Sequence, residues 1–171
     1  DLTVDISLNL RTALLERRLD LAFLMGPVSE FSVENVTLPA FDLHWYRSTQ
    51  NEQTDLSEIP VISYSSQTRP YRELMSELSR RIGPRLRVFA SASLSASLKM
   101  IAAGIAVGPY PRALANDFLL SGQIIEFDPG FRPQPLMFTA SYLSEPRSFL
   151  VENSAEIASN VAQEWDASHP R

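Results

Sequence analysis

Ser65-Ser66-Gln67-Thr68 and Ser91-Ala92-Ser93-Leu94-Ser95 are the two runs in this sequence best equipped to hold a ligand. Each follows a short apolar segment and precedes an amphipathic one. Hydroxyls, a carboxamide and free backbone N–H groups would therefore gather at a helix N-terminus, a place that holds carboxylates, sulfate or phosphate. The alternative is that Thr68 or Ser93 only caps its helix. Met25-Gly26 stands at the exit of another apolar run, where the thioether either faces a ligand or packs. Tyr110, between two prolines, offers a ring and a hydroxyl as an amphipathic wall, or covers a hinge. The candidate ligand site is thus Ser65, Ser66, Gln67, Thr68, Met25, Gly26, Ser91 and Tyr110.

Signatures of catalysis are missing. There is no Gly-x-Ser-x-Gly elbow, no Gly-x-x-x-x-Gly-Lys phosphate loop and no Gly-x-Gly-x-x-Gly fingerprint. The chain has no cysteine, which removes disulfide frameworks and thiolate zinc sites, and only His44 and His169 as histidines. No catalytic residue, metal or cofactor is expected. Carboxylates such as Asp55, Glu58 and Glu73 read as solvated surface. A net charge of −5 argues against a nucleic-acid surface on this segment. The apolar runs are strand-sized, so no transmembrane helix is expected.

Positioning such residues takes an α/β frame. Leu14 to Pro27 and Ala102 to Pro111 each read as a helix end, a tight turn, a short buried strand and a Gly/Pro exit, roughly 85 residues apart. In a parallel sheet the carboxyl ends of the strands open where ligands sit. Val4, Ile6 and Leu8 alternate with polar residues as a half-buried strand, and Asn9 is placed to cap the next helix. Further strands are expected at Leu21–Met25, Val33–Phe41, Leu43–Arg47, Pro60–Tyr64, Arg87–Ala90, Ile105–Val107, Ile124–Phe127 and Leu136–Tyr142. Thr68-Arg69-Pro70 opens a helix whose apolar positions are Tyr71, Leu74, Met75, Leu78 and Ile82. Other helices are expected from Ser93 to Gly104, from Pro111 to Leu120 and from Phe149 to about Ala167. Right-handed parallel crossovers are the default for such alternation.

Four motifs, in this order and spacing, resemble the effector-binding domain of LysR-type transcriptional regulators. Leu19-Asp20-Leu21-Ala22-Phe23 stands for the family's Leu-Asp-Leu-Ala-Ile. Asp55 to Ile62 is similar to its entry to a second lobe. Ala103-Gly104-Ile105-Ala106-Val107-Gly108-Pro109-Tyr110-Pro111 resembles Ala-Gly-x-Gly-Ile-Ala-x-x-Pro, with Ala106 in place of a glycine, and Ser121-Gly122-Gln123-Ile124 follows as Ser-Gly-x-Leu. The family's usual glycine before Leu-Asp is Arg18 here, so that turn must use a non-glycine residue.

The resemblance implies two Rossmann-like lobes of the type II periplasmic-binding-protein kind, joined by two crossover strands near Phe41-Asp42 and Phe138 to Ala140. The first lobe would comprise residues 1–41 and 140–171, the second 42–139. The family's first strand and helix, and its winged helix-turn-helix, would lie before Asp1. The implied function is sensing a small anionic or polar effector between the lobes for a cytoplasmic transcription factor, which binds DNA only through that other domain. The implied partner is a second copy, as homodimer or tetramer, with Thr3 to Arg18 against Tyr71 to Ile82. The competing expectations are a periplasmic solute-binding protein of the same fold, or an enzyme built on it.

Overall fold

The computed structural model describes residues 1–168; His169 lies outside them. The chain forms two compact units, one made of Asp1–Phe41 and the chain from Leu136 onward, the other of Asp42–Pro135. The return thus falls at Pro135–Leu136, before the expected 139/140. Leu136 pairs with Phe41, and Phe138 and Thr139 already belong to a ladder of the first unit.

In the first unit, α1 (Ser7–Leu15) leads into β1 (Leu21–Met25), and β2 (Val33–Thr37) follows. A late strand, β8 (Phe138–Leu143), inserts between them and runs antiparallel to both, with Leu24 and Thr37 flanking Thr139. Leu14 of α1 packs on Ala22, Leu24, Val28 and Val33. The closing helix α5 (Phe149–Ser168) contacts β8 and β2. Phe41 lies 5.9 Å from both Phe138 and Trp165, ring to ring.

Two expectations fail at the start. Residues 1–6 form no strand, and Leu2 and Val4 are 91% and 89% exposed. Alternation specifies a strand only where a ladder satisfies its backbone, and residues 1–6 join none. Leu8 and Asn9 lie inside α1, whose N-cap position is Ile6. Asp5 holds its head, the Oδ1 accepting from the Ile6 N–H at 2.7 Å and from the Asn9 amide at 2.9 Å.

In the second unit, β3 (Leu43–Ser48) lies between β6 (Gly108–Pro111) and β7 (Ile124–Phe127), antiparallel to each, while β4 (Val61–Ser63) runs parallel to β5 (Val88–Ala90). Val107 bridges in parallel to Val61 and joins the two ladders. Parallel pairing is therefore confined to β4, β5 and that bridge. The strand expected at Ile105–Val107 lies at Gly108–Pro111 instead, because His44 and Trp45 of β3 take Tyr110 and Pro109 as partners.

Helices cover both faces of this sheet. On one, Trp45, Val61 and Val107 meet Leu74 and Leu78 of α2 (Arg69–Ile82). On the other, Tyr46 and Ile62 meet α3 (Leu94–Ala102) and α4 (Arg112–Leu120) through Leu98, Ile101 and Ala115. Consecutive residues of β3 and β4 thus face opposite layers, which is why both strands are buried on both faces. Among the described residues no helix is long and apolar enough to cross a membrane.

The two helix-to-strand units of the sequence end their helices alike. Arg18 N–H reaches Ala13 O at 2.8 Å and Arg17 N–H reaches Leu14 O at 3.0 Å; Ile105 N–H reaches Met100 O at 3.1 Å and Gly104 N–H reaches Ile101 O at 2.9 Å. These are Schellman closures, whose next residue past the cap is left-handed. That residue is Arg17 (φ 59) in one case and Gly104 (φ 72) in the other. The non-glycine turn is therefore carried by Arg17, one residue before the Arg18 expected from the motif.

Candidate functional site

The second unit turns both hydroxyl runs toward the same strand ends. β4 and β5 are parallel neighbours, so their carboxyl ends lie side by side, and Ser91 N–H donates to Ser63 O at 3.1 Å where the strands finish. From there the chain enters α2 through Ser65–Thr68 and α3 through Ser91–Ser93. Neither helix carries an acidic residue in its first turn, so the partial positive charge of each N-terminus is not offset locally.

The hydroxyls divide into structural and available ones. Thr68 caps α2: its Oγ1 donates to Ser65 O at 2.7 Å and accepts from Tyr71 N–H at 3.4 Å. Ser91 Oγ donates to Ser93 O and accepts from Ser93 N–H, both at 3.1 Å, closing its own turn. Ser93 caps α3 by accepting from Ala96 N–H at 3.2 Å. Ser66 and Gln67 are exposed, and among the described residues neither side chain has a protein partner; only the Gln67 carbonyl is used, by the Arg72 guanidinium at 3.0 Å. At the end of β4 the Ser63 hydroxyl is buried with no partner.

Tyr110 is not a wall. It is fully buried among Tyr46, Ile62, Leu98 and Ile101, its hydroxyl donating to Ile62 O at 3.4 Å and its ring 5.4 Å from that of Tyr64. Burial pushes its phenol up to about 12. Proline on either side signals exposure locally, but β6 is covered by β3 on one edge and by helices above, which no local pattern records.

Met25 and Gly26 belong to the first unit. Met25 N–H donates to Ser7 Oγ at 2.9 Å, tying the end of β1 to the head of α1. Gly26 is glycine for packing: a Cβ there would fall 2.1 Å from Thr139 Oγ1. Beyond it Asn35 clamps Val28, accepting from its N–H at 2.9 Å and donating to its carbonyl at 3.1 Å. Ser141 Oγ donates to Asn35 Oδ1 at 2.8 Å and lies 2.8 Å from Thr139 Oγ1. The network that holds this exit loop went unnoticed in the sequence; polar residues inside an apolar strand were its one visible trace.

A second polar contact joins residues 82 apart and has no local trace in the sequence. His44 Nδ1 lies 2.6 Å from Glu126 Oε1, and Arg112 approaches the other carboxylate oxygen at 3.8 Å. Among the described residues no group of three His, Asp or Glu side chains could hold a metal ion.

Comparison with known proteins now identifies the architecture. The model of the LysR substrate binding domain family matches residues 1–162. No curated protein matches the chain. Among solved structures it is similar to the bromide-bound regulatory domain of HypT from Salmonella typhimurium, with 16% identity and a TM-score of 0.78 over 94% of this chain and 80% of that one. The effector binding domain of QuiR in complex with shikimate gives 11% and 0.73 over 94% and 79%. Full-length LysG from Corynebacterium glutamicum with bound effector arginine gives 18% and 0.69 over 93% of this chain and 57% of that one. The fold is that of type II periplasmic-binding-protein-like domains, yet the matching family is a regulator's and not that of a free-standing solute-binding protein. The chain belongs to the LysR substrate binding domain family, the ligand-sensing regulatory domain of LysR-type transcription regulators.

Proposed function

We propose that this chain senses a small carboxylate or other oxyanion through the turns that follow β4 and β5, and does no chemistry on it. One observation carries the reading. Two helix N-termini with uncompensated partial charge start at the adjoining carboxyl ends of parallel strands, with Ser66 and Gln67 free to donate. Ser65, Thr68 and Ser91 shape the turns. That HypT holds bromide and QuiR holds shikimate supports a small polar ligand. The domain works as a homodimer in the cytoplasm, with DNA contacted only by a separate domain of the regulator.

A thermal-shift screen of small carboxylates and oxyanions tests this, since binding to the native state raises apparent stability. Ser66→Ala should then weaken the best hit about tenfold or more, as a charge-assisted bond is worth roughly 1.5–3 kcal/mol. Unchanged affinity removes this turn from the site. Thr68→Ala is the poorer probe, because it also costs the cap of α2.

A further inference from the structure

Two stretches of chain join the units, and they differ in stiffness. The outgoing one is Asp42 alone: Phe41 before it pairs with Leu136, and Leu43 after it is the first residue of β3. The return stretch is Arg132-Pro133-Gln134-Pro135, which runs from Phe131 to that same Leu136. Its prolines fix their own φ and hold the residues before them, Arg132 and Gln134, in extended conformations. Every residue of the return stretch is thus restricted, and it behaves as a short semi-rigid rod. A rotation about Asp42 cannot be absorbed along such a rod; it reaches the far end, at Phe131.

Phe131 is held by two different elements. Its carbonyl accepts from Trp45 Nε1–H at 3.1 Å, and its ring lies 5.4 Å from that of Trp45. Trp45 is buried in the central strand β3, so this half of the hold is fixed. The other half belongs to α2: the Arg81 guanidinium stacks on the same ring at 4.5 Å. Arg81 is itself kept in place by Glu77, at 2.5 Å and one helical turn back, so its stacking follows the position of the helix. The opposite end of α2 is the Thr68 cap of the hydroxyl turn. Turn and rod also face one cavity of about 390 Å³, lined by Tyr64 and Pro70 beside the turn and by Phe131 and Pro133 of the return loop.

We propose that residues 128–135 form a strap, latched at Phe131, through which the position of α2 sets the return stretch to the first unit. Phe131 and Arg81 are positioning residues that carry the state of the Ser65–Thr68 turn to Leu136. The inference rests on the effector reading only for what is carried; the latch stands on contacts within the second unit.

Hydrogen exchange of the whole chain tests this without a ligand. The reporters are Leu136 N–H, which donates to Phe41 O at 2.8 Å, and Trp45 Nε1–H; the control is Ile62 N–H, bonded to Val107 O at 2.7 Å inside the sheet. Phe131→Ala should speed both reporters about three- to tenfold, the worth of one aromatic pair, and leave Ile62 unchanged. Phe131→Tyr should restore the parent rates. Arg81→Gln should speed Leu136 about two- to fivefold, the worth of an exposed cation–π contact. Arg80→Gln also loses a pairing with Glu77 but no ring, and should not. Thr68→Ala should speed Leu136 in the parent and add nothing to Phe131→Ala, the mark of coupled positions. The proposal falls if Leu136 and Ile62 accelerate together, which is a loss of stability alone. It also falls if Arg80→Gln matches Arg81→Gln, or if the Thr68 and Phe131 effects multiply. None of these outcomes bears on the effector turn, whose failure shows instead as a silent anion screen.

Discussion

Asp42–Pro135 lays helices on both faces of its sheet, and every residue of β3 except Arg47 is buried. The other unit buries one face of its sheet under α1, but α5 buries only Ala155 and Ser159 of its twenty residues. Phe23 of β1 remains 49% exposed, and Ile157 and Val161 of α5 about 60%. The first unit is no less apolar in sequence than the second; what differs is coverage. An apolar stripe predicts burial only where a second layer meets it, and the value of each side chain should follow that layer.

The largest contrast is in the cores. Leu78→Ala opens a cavity beneath α2 at a fully buried position and should cost about 2–5 kcal/mol. Ile157→Ala, on the open side of α5, should stay within about 0.5 kcal/mol. Urea titration of both variants checks this. Equal losses would mean that α5 is covered in solution.

The second contrast is between two tight glycines. A Cβ on Gly108 would lie 2.5 Å from Ile62 O, a backbone atom inside the sheet, whereas on Gly26 it meets the side chain of Thr139. Each Gly→Ala change should cost about 1–3 kcal/mol by overpacking. Thr139→Ala should rescue Gly26→Ala in a double mutant, because the obstacle is removable. No single side-chain change should rescue Gly108→Ala. Thermal melts of the singles and the double decide it.

A third difference is alkaline. Burial raises Tyr142 of the first unit as well, but raises Tyr46, Tyr64 and Tyr110 of the second unit much further. A phenol that stays protonated to about 12 when folded but titrates near 10 when unfolded binds the extra proton in the native state. Stability is therefore complete below pH ~10 and falls as the pH climbs toward ~12. Tyr110→Phe should remove its share of that slope. Tyrosinate absorbance should rise together with the loss of Trp45 structure, not before it.

These contrasts also mark what the sequence could reveal. The helix Arg69–Ile82 was legible because its signals are local: a Thr68 cap, Pro70 in the first turn, and apolar residues three and four apart. The strands met along the chain from Leu21 onward and the hydroxyl turns after β4 and β5 were legible for the same reason. The register of β6 was not, since it is set by pairing with Leu43 to Tyr46, more than sixty residues earlier. The burial of Tyr110 depends on that register. The Asn35–Ser141 bond joins residues 106 apart, so nothing near either residue could announce it. Antiparallel insertion of β8 between β1 and β2 has the same origin. Chemistry carried by turns is written locally, and chemistry carried by ladders is not.

The smallest effect compares the two Schellman closures directly. Gly104 adopts φ 72 without a Cβ, and one added there would approach Asn51 Cβ at 3.3 Å. Arg17 adopts φ 59 with a Cβ and pays the left-handed penalty. Its guanidinium donates to Glu145 O at 2.9 Å in an exposed setting, which offsets only part of that strain. Arg17→Gly should therefore be neutral to stabilising, by up to about 1 kcal/mol, while Gly104→Ala should destabilise by about 1 kcal/mol. Arg17→Ala separates the two contributions: it loses the Glu145 contact and keeps the Cβ, so it should fall below the parent. Urea midpoints at constant slope give all three values. If Arg17→Gly is no more stable than Arg17→Ala, the left-handed residue costs nothing here, and the arginine is held at that turn by its contact alone.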